Sequence, residues 1–223
     1  MLVLCGIVLL FEITPLDIIV QDWFFDFNSG RWLVDKHAPV PRFFFYNFPK
    51  GILIAFGVYL LLNLLGPTVL GGYCLLSRKK ALFLLLCLGI VPALMALGKN
   101  TTGVYCPSQI IRYGGDHIYA HVLEAIQSAI VSTRKGCCFP AGHASGGFAL
   151  MSLYFWADSR AKQRLGLMTG LVLGWTMGLY QMFKGAHYLS HTLFTMAAAW
   201  LIIIILARLF RLYTQENSLY DAY

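Results

Sequence analysis

Apolar runs long enough to cross a lipid bilayer occupy most of this chain. Its 223 residues are 58% hydrophobic and 12% charged, whereas a soluble domain carries about 25% charged residues. Each bilayer crossing needs about 20 mainly apolar residues, so the length accommodates about six helices plus loops in one domain, residues 1–223. The sequence therefore predicts an all-α polytopic membrane protein, a bundle of six transmembrane helices.

The predicted helices are separated by short basic or aromatic segments. The first apolar run covers residues 1–11 and extends weakly to Val20, because Glu12, Pro15 and Asp17 interrupt it. An aromatic-rich segment over residues 21–50 is predicted to lie at the membrane interface, where such rings are enriched. The remaining helices are predicted at residues 51–76, 81–97, 142–157, 165–183 and 192–206.

The net charge of +7 does not indicate nucleic-acid binding, because the cations lie in short clusters between the apolar runs. With six crossings, three clusters fall on one side of the membrane: residues 78–80, 160–164 and 208–211. The positive-inside tendency assigns this side to the cytoplasm. Lys36, Arg42 and Lys50 lie on the opposite side and weaken the asymmetry.

Three polar stretches, residues 98–107, 139–146 and 184–191, then meet at the outer face. Lys99 closes the third predicted helix, His143 opens the fourth, and His187 and His191 lie between the fifth and the sixth. Ionisable groups at such depth usually face a protein interior or a wet cavity. Histidines and cations held together at one membrane face predict a site for an anionic, membrane-bound substrate.

The stretch around His143 has the pattern of a helix start. Pro140 suits the beginning of a helix and Gly142 permits close backbone approach. The amide groups near Ala141 and Gly142 are predicted to hold phosphate, as helix N-termini do. His143 in this first turn is a candidate general acid or base.

His187 and His191 are four residues apart and share one face of a helix. Two imidazoles at that spacing can bind zinc, but no His-Glu-x-x-His or Cys-x-x-Cys pattern accompanies them. The alternative is a nucleophile with an orienting partner, in which His191 accepts the Nδ1 proton of His187. We favour catalysis, with no metal ligand and no cofactor.

These residues resemble the type 2 phosphatidic acid phosphatase superfamily, in its bacterial membrane branch. The family signature reads Lys-x6-Arg-Pro, Pro-Ser-Gly-His and Ser-Arg-x5-His-x3-Asp. This chain has the same order and spacing in Lys99-x6-Cys106-Pro107, Pro140-Ala141-Gly142-His143 and Tyr180-Gln181-x5-His187-x3-His191. It departs from the signature at Cys106, Ala141, Gln181 and His191.

The resemblance implies a role for each matched residue. His187 would be the nucleophile that forms a phosphohistidine, and His143 would protonate the leaving oxygen, while Lys99 holds phosphate. Gln181 stands where the family has a phosphate-binding arginine. Because both family arginines are absent, Arg112 and Lys184 are predicted to replace them.

The resemblance also implies a function. We expect a metal-independent phosphatase of the bacterial inner membrane, with its active site facing the periplasm and lipid A phosphate as the favoured substrate. Undecaprenyl pyrophosphate and phosphatidylglycerol phosphate are alternative substrates. A lipid-to-lipid phosphotransferase and a non-catalytic membrane protein are alternative functions. The substrate is a membrane lipid and not a nucleic acid, and the sequence leaves the oligomeric state open.

Three cysteines fall in the predicted outer loop between the third and fourth helices. An oxidising periplasm permits a disulfide there, which would tie the Lys99 stretch to the His143 stretch. The candidate disulfide joins Cys106 to either Cys137 or Cys138.

Overall fold

The computed structural model describes residues 1–66, 76–131 and 136–212, and most of these residues are helical. The α-helices are α1 (Leu2–Ile13), α2 (Leu16–Asp22), α3 (Pro39–Arg42), α4 (Phe48–Leu65), α5 (Arg78–Thr102), α6 (Val122–Val131), α7 (Gly142–Ala149), α8 (Arg160–Phe183) and α9 (Leu189–Leu209). A π-helical turn, Phe43–Asn47, joins α3 to α4, and a 3-10 helix, Leu150–Phe155, continues α7. The part of the predicted 51–76 helix that covers residues 67–75 lies outside the described residues.

Three helices are long and apolar enough to cross a membrane: Pro39–Leu65, Arg78–Thr102 and Leu189–Leu209. The α1–α2 pair adds a fourth if its two helices, bent by 73°, form one span. A mainly helical architecture with membrane-spanning helices is therefore confirmed, and the described part of the chain has three to four candidate spans. Among the other predicted crossings, α7 passes into a 3-10 helix at Leu150, and α8 carries three cations within its first five residues.

Glycines at every fourth position of α8 allow it to pack closely against α7 and the 3-10 helix. A Cβ atom added to Gly174 would lie 2.2 Å from Phe148 Cδ1, and one on Gly170 would lie 2.2 Å from the Met151 amide nitrogen. Small residues on one helix face permit this approach in membrane proteins. The stripe comprises Gly166, Gly170, Gly174 and Gly178. Because the two elements run antiparallel, the end of α8 lies beside the start of α7.

The predicted interfacial segment contains a small antiparallel hairpin, β1 (Phe25–Asp26) and β2 (Arg31–Trp32). Its rings pack around Tyr113, with centroids 5.2 Å from Phe25 and 5.0 Å from Trp32. The Val34 amide donates a hydrogen bond to the Phe183 carbonyl at 3.1 Å. The hairpin therefore covers the turn that follows α8.

The buried core lies where α4, α5, α7 and α9 meet. Leu60 of α4, Val91 of α5, Phe148 of α7 and Ile203 of α9 are all inaccessible to solvent. This packing fixes the end of α5, the start of α7 and the start of α9 relative to one another, and these three positions carry the predicted site residues.

Candidate active site

The structure brings the three polar stretches together at one end of the bundle. The ring centroids of His143 and His187 are 6.0 Å apart. The Nδ1 atoms of His187 and His191 are 3.4 Å apart. Lys99, in the last turn of α5, lies close enough to interact electrostatically with all three imidazoles. The signature residues from distant parts of the sequence therefore form a single cluster.

His187 occupies the turn before α9 and is 2% exposed. Burial, the adjacent His191 and nearby Lys99 lower the pKa of His187 well below its usual value. The imidazole is therefore neutral at physiological pH, the form in which a ring nitrogen keeps a lone pair for attack. At this distance one ring can donate a hydrogen bond from its Nδ1–H group to Nδ1 of the other ring.

The start of α9 is held by a buried carboxylate that sequence reasoning missed. Asp17 in α2 is 4% exposed and accepts hydrogen bonds from the Ser190 amide, at 2.9 Å, and from the Ser190 hydroxyl. Gln21, one turn further along α2, donates to the Met182 carbonyl at 2.8 Å. Helix α2 thus fixes the backbone on both sides of His187. The sequence feature that could have indicated a functional role for Asp17 is its position within an apolar run.

A second connection joins the start of α7 to α9 through Thr195. Its hydroxyl donates to the His191 carbonyl at 2.7 Å and accepts from the Ala141 amide at 2.9 Å. The Gly142 amide donates to the Pro140 carbonyl at 3.0 Å. Both amides are already hydrogen-bonded within the protein, so the predicted phosphate-binding role of Ala141 and Gly142 does not fit this geometry.

Gly142 instead makes room for a cation. A Cβ atom added to this glycine would lie 3.7 Å from Cδ of Lys99, so the aliphatic stem of Lys99 lies along the first turn of α7. This contact directs Lys99 along the helix that carries His143.

The charges of three lysines act on His143, and one of these lysines was not predicted. Lys99, Lys184 and Lys50 all lie close enough to act on its imidazole electrostatically. Lys50, in the first turn of α4, has its Nζ atom 5.8 Å from the centroid of the Tyr46 ring, and that ring lies 5.2 Å from His143. In the sequence Lys50 read only as a loop charge, because no motif spacing links it to the histidines.

Lys184 lies at the end of α8, as predicted. Its Nζ atom lies 4.8 Å from the centroid of the Tyr180 ring. Burial and the charge of Arg42 lower the pKa of Lys184. A partly desolvated ammonium group attracts an anion more strongly than one in bulk water.

Arg112 forms an ion pair with a carboxylate in α2. Its guanidinium binds both oxygens of Asp22, with Nε at 2.8 Å and Nη2 at 2.6 Å, and packs over the Phe27 ring. The carboxylate raises the pKa of Arg112 and Tyr113 donates to the same carboxylate at 2.8 Å. This bidentate pair ties the loop after α5 to α2 and the hairpin. Arg112 is thus already paired with a carboxylate, whereas the charge of Lys50 acts on His143.

Gln181, at the family's arginine position, is 1% exposed. Within the described residues, both polar atoms of its side chain and Nδ1 of His143 have no hydrogen-bond partner. Leaving a buried polar group unsatisfied costs about 1–3 kcal/mol. Such groups are the ones that a bound phosphate can satisfy.

The predicted outer-loop disulfide forms between Cys106 and Cys138, whose Cα atoms are 5.1 Å apart. Cys137 is free and exposed. The disulfide joins the stretch after Lys99 to the stretch before His143, and Cys138 Sγ lies 3.6 Å from Nδ1 of His187. Three potential metal-ligand atoms, from Cys138, His187 and His191, therefore lie within 4.8 Å of one another.

The three stretches that carry the histidines, Lys99 and Lys184 all lie in the part of the chain that a family model matches. The chain belongs to the PAP2 superfamily, whose model matches residues 80–215. It is also 26% identical over 173 residues to a lipid A 4'-phosphatase of Francisella tularensis subsp. novicida, covering 74% of this chain and 75% of the relative. No solved structure matches the chain. Members of the family are phosphatases that act on phosphate esters, and together with this relative they support a lipid phosphatase.

Proposed function

We propose that this protein is a metal-independent phosphatase of the bacterial inner membrane that removes a phosphate from lipid A. The observation that carries the proposal is the 3.4 Å contact between the Nδ1 atoms of His187 and His191, with His143 across the site. This contact leaves Nε2 of His187 as the nucleophilic atom. The similarity to a lipid A 4'-phosphatase supports the choice of substrate.

The reaction proceeds in two displacements at phosphorus. Nε2 of His187 attacks the phosphoryl group while the bond to the lipid oxygen breaks. His143, whose pKa burial and the nearby lysines lower to about 4, takes up a proton as the anionic substrate binds and gives it to that oxygen. The phosphorylated imidazole is cationic, and its Nδ1 proton is held by His191. Water then attacks phosphorus, His143 takes a proton from it, and inorganic phosphate leaves. Dividing the reaction in this way replaces one difficult step by two easier ones.

Positive charge around the phosphoryl oxygens stabilises both transition states. The charges of three lysines act on His143: Lys99, Lys184 and Lys50. Charge-assisted hydrogen bonds from such groups are among the strongest in proteins. Gln181 adds a neutral donor at the position of a family arginine. These groups supply the electrostatic stabilisation that a metal ion provides in other phosphoryl-transfer enzymes.

The proposed topology has six crossings, with the active site at the periplasmic face. Three basic clusters, residues 78–80, 160–164 and 208–211, lie at the opposite ends of the helices and would be cytoplasmic. The lipid enters laterally from the outer leaflet of the inner membrane, so that its acyl chains remain in the bilayer. Cysteine-accessibility labelling of Ser77→Cys and Lys36→Cys from the two sides tests this orientation.

Phosphate release by the purified protein tests the function. The substrates are lipid A, undecaprenyl pyrophosphate and phosphatidylglycerol phosphate in the same detergent, with and without a chelator. We expect lipid A to be hydrolysed fastest, the chelator to have no effect, and His187→Ala to abolish release. Lys79→Ala, in the distant basic cluster, is the matched control. Preferential hydrolysis of another lipid would refute the substrate, and a requirement for one metal would refute the mechanism.

A further inference from the structure

Nδ1 of the proposed nucleophile, His187, lies at metal-ligand spacing from two further potential ligand atoms. Nδ1 of His187 lies 3.4 Å from Nδ1 of His191 and 3.6 Å from Sγ of Cys138. The three atoms fall within 4.8 Å of one another, and all three residues are buried. They come from the loop before α7, the turn before α9 and the first turn of α9.

These distances can be compared with the geometry of zinc. Zinc binds nitrogen at about 2.0–2.1 Å and sulfur at about 2.3 Å in a tetrahedral arrangement. Tetrahedral angles then place two nitrogen ligands about 3.4 Å apart, and a nitrogen and a sulfur ligand about 3.6 Å apart. The two contacts around His187 match both values. One imidazole pair and one cysteine supply three ligands, and the fourth position remains for water or an anion.

The disulfide between Cys106 and Cys138 keeps this site closed. Zinc is bound by a thiolate, and a sulfur in a disulfide carries no such charge. We propose that reduction of this disulfide turns Cys138, His187 and His191 into a zinc-binding site. A phosphine can perform the reduction: it becomes the phosphine oxide by taking oxygen from water, and two thiols form. Zinc then displaces the thiol proton of Cys138.

Bound zinc would occupy the Nδ1 atoms of both histidines and break their mutual contact. If His187 is the nucleophile of the proposed function, zinc would inhibit phosphate release, because His187 would no longer have its proton-accepting partner. The disulfide therefore protects the histidine pair from metal in an oxidising compartment. The metal site itself does not depend on the catalytic proposal.

The test compares three proteins that all carry Cys137→Ser, because Cys137 is free and exposed. The first retains the disulfide. The second adds Cys106→Ser, which leaves Cys138 as a thiol without any reductant, and the third adds both Cys106→Ser and Cys138→Ser. Zinc is measured per chain after removal of free metal, and cobalt is used as a spectroscopic probe of tetrahedral thiolate ligation.

We expect the Cys106→Ser protein to bind one zinc per chain and to show a cobalt–thiolate absorption band. The disulfide-bonded and doubly substituted proteins should bind at least about a hundredfold more weakly, because losing a ligand costs more than the 10–100-fold effect of losing an outer-shell partner. Equal binding by the Cys106→Ser and doubly substituted proteins would overturn the proposal. Unchanged binding after His191→Ala would also overturn it.

Reduction of the protein that retains its disulfide gives a second measurement that needs no substitution at Cys106. Phosphine treatment should create the zinc site, and reoxidation after metal removal should abolish it; zinc uptake that is independent of reduction would overturn the proposal. Zinc bound at these ligands with phosphate release unaffected would uphold the site and refute His187 as the nucleophile. The failures of the two proposals are thereby distinguished.

Discussion

Nδ1 of His187 and Nδ1 of His191 lie 3.4 Å apart, with both imidazoles buried. His191 stands where the family signature has aspartate, so a neutral ring takes the place of a carboxylate beside the proposed nucleophile. A neutral imidazole accepts a weaker hydrogen bond than a charged carboxylate does. The position of His191 fits the proposed role of orienting His187, with a weaker hydrogen bond than an aspartate would accept.

Substitution of His191 tests this relationship. His191→Ala should lower kcat by about a hundredfold or more, because the Nδ1 proton of His187 loses its acceptor. His191→Asp should recover most of that loss, since it restores the family pattern. Steady-state phosphate release gives both values, with KM expected to change little. An Asp variant as impaired as the Ala variant would contradict the orienting role.

Lys50 and Arg112 form a matched pair, because the charge of Lys50 acts on His143 while Arg112 is bound to Asp22. Lys50→Ala should lower kcat/KM by about ten- to a hundredfold, the effect of losing a charged hydrogen bond worth about 1.5–3 kcal/mol. Arg112→Ala should leave kcat/KM within about threefold, because the Arg112 guanidinium is paired with the Asp22 carboxylate. Loss of that ion pair should lower the melting temperature. The reverse ranking in kcat/KM would restore Arg112 as the phosphate ligand.

The protonation of His187 can be followed directly. Burial lowers its pKa well below the usual 6.5 or so, so the ring should remain neutral at pH 6.5 and gain a proton only at lower pH. Nitrogen NMR of histidine-labelled protein checks this, with His187→Gln identifying the resonance. Because the unfolded chain binds this proton at higher pH than the folded protein, stability should fall as pH decreases through 6.5. A His187 that is half protonated at or above pH 6.5 would contradict this account.

The glycine stripe of α8 predicts an effect on stability. Gly174→Ala would place its Cβ 2.2 Å from the Phe148 ring, and overpacking of this kind costs about 1–3 kcal/mol. Gly89→Ala in α5 is the control, because a Cβ there meets nothing within 4 Å. Thermal unfolding in detergent should show a lower melting temperature for the first variant only. Equal melting temperatures would refute close packing at Gly174.

Hydropathy and motif spacing predicted much of the architecture, because both are local signals. The predicted 165–183 and 192–206 helices correspond to α8 and α9, which extend a few residues further. The extension of α8 begins at the Ser159 cap, whose hydroxyl accepts from the Lys162 amide at 3.4 Å. Caps outside an apolar run are not visible to a hydropathy pattern.

The contacts that complete the site could not be predicted from spacing. Asp17 accepts a hydrogen bond from Ser190, which lies 173 residues further along the chain. The charge of Lys50, on a different helix, acts on His143. Arg112 lies close in sequence to Cys106, where the family has an arginine, but its guanidinium binds Asp22 in a bidentate pair. Such choices depend on which helices become neighbours, and that is decided by packing features such as the α8 glycines.

A labelling experiment tests the central claim, phosphoryl transfer to His187, most directly. The purified protein is mixed with lipid A labelled with radioactive phosphate, quenched in alkali, which preserves phosphohistidine, and digested for peptide mapping. We predict label on His187, and none in His187→Ala. Label on another residue, or near-normal phosphate release by a folded His187→Ala protein, would contradict the account.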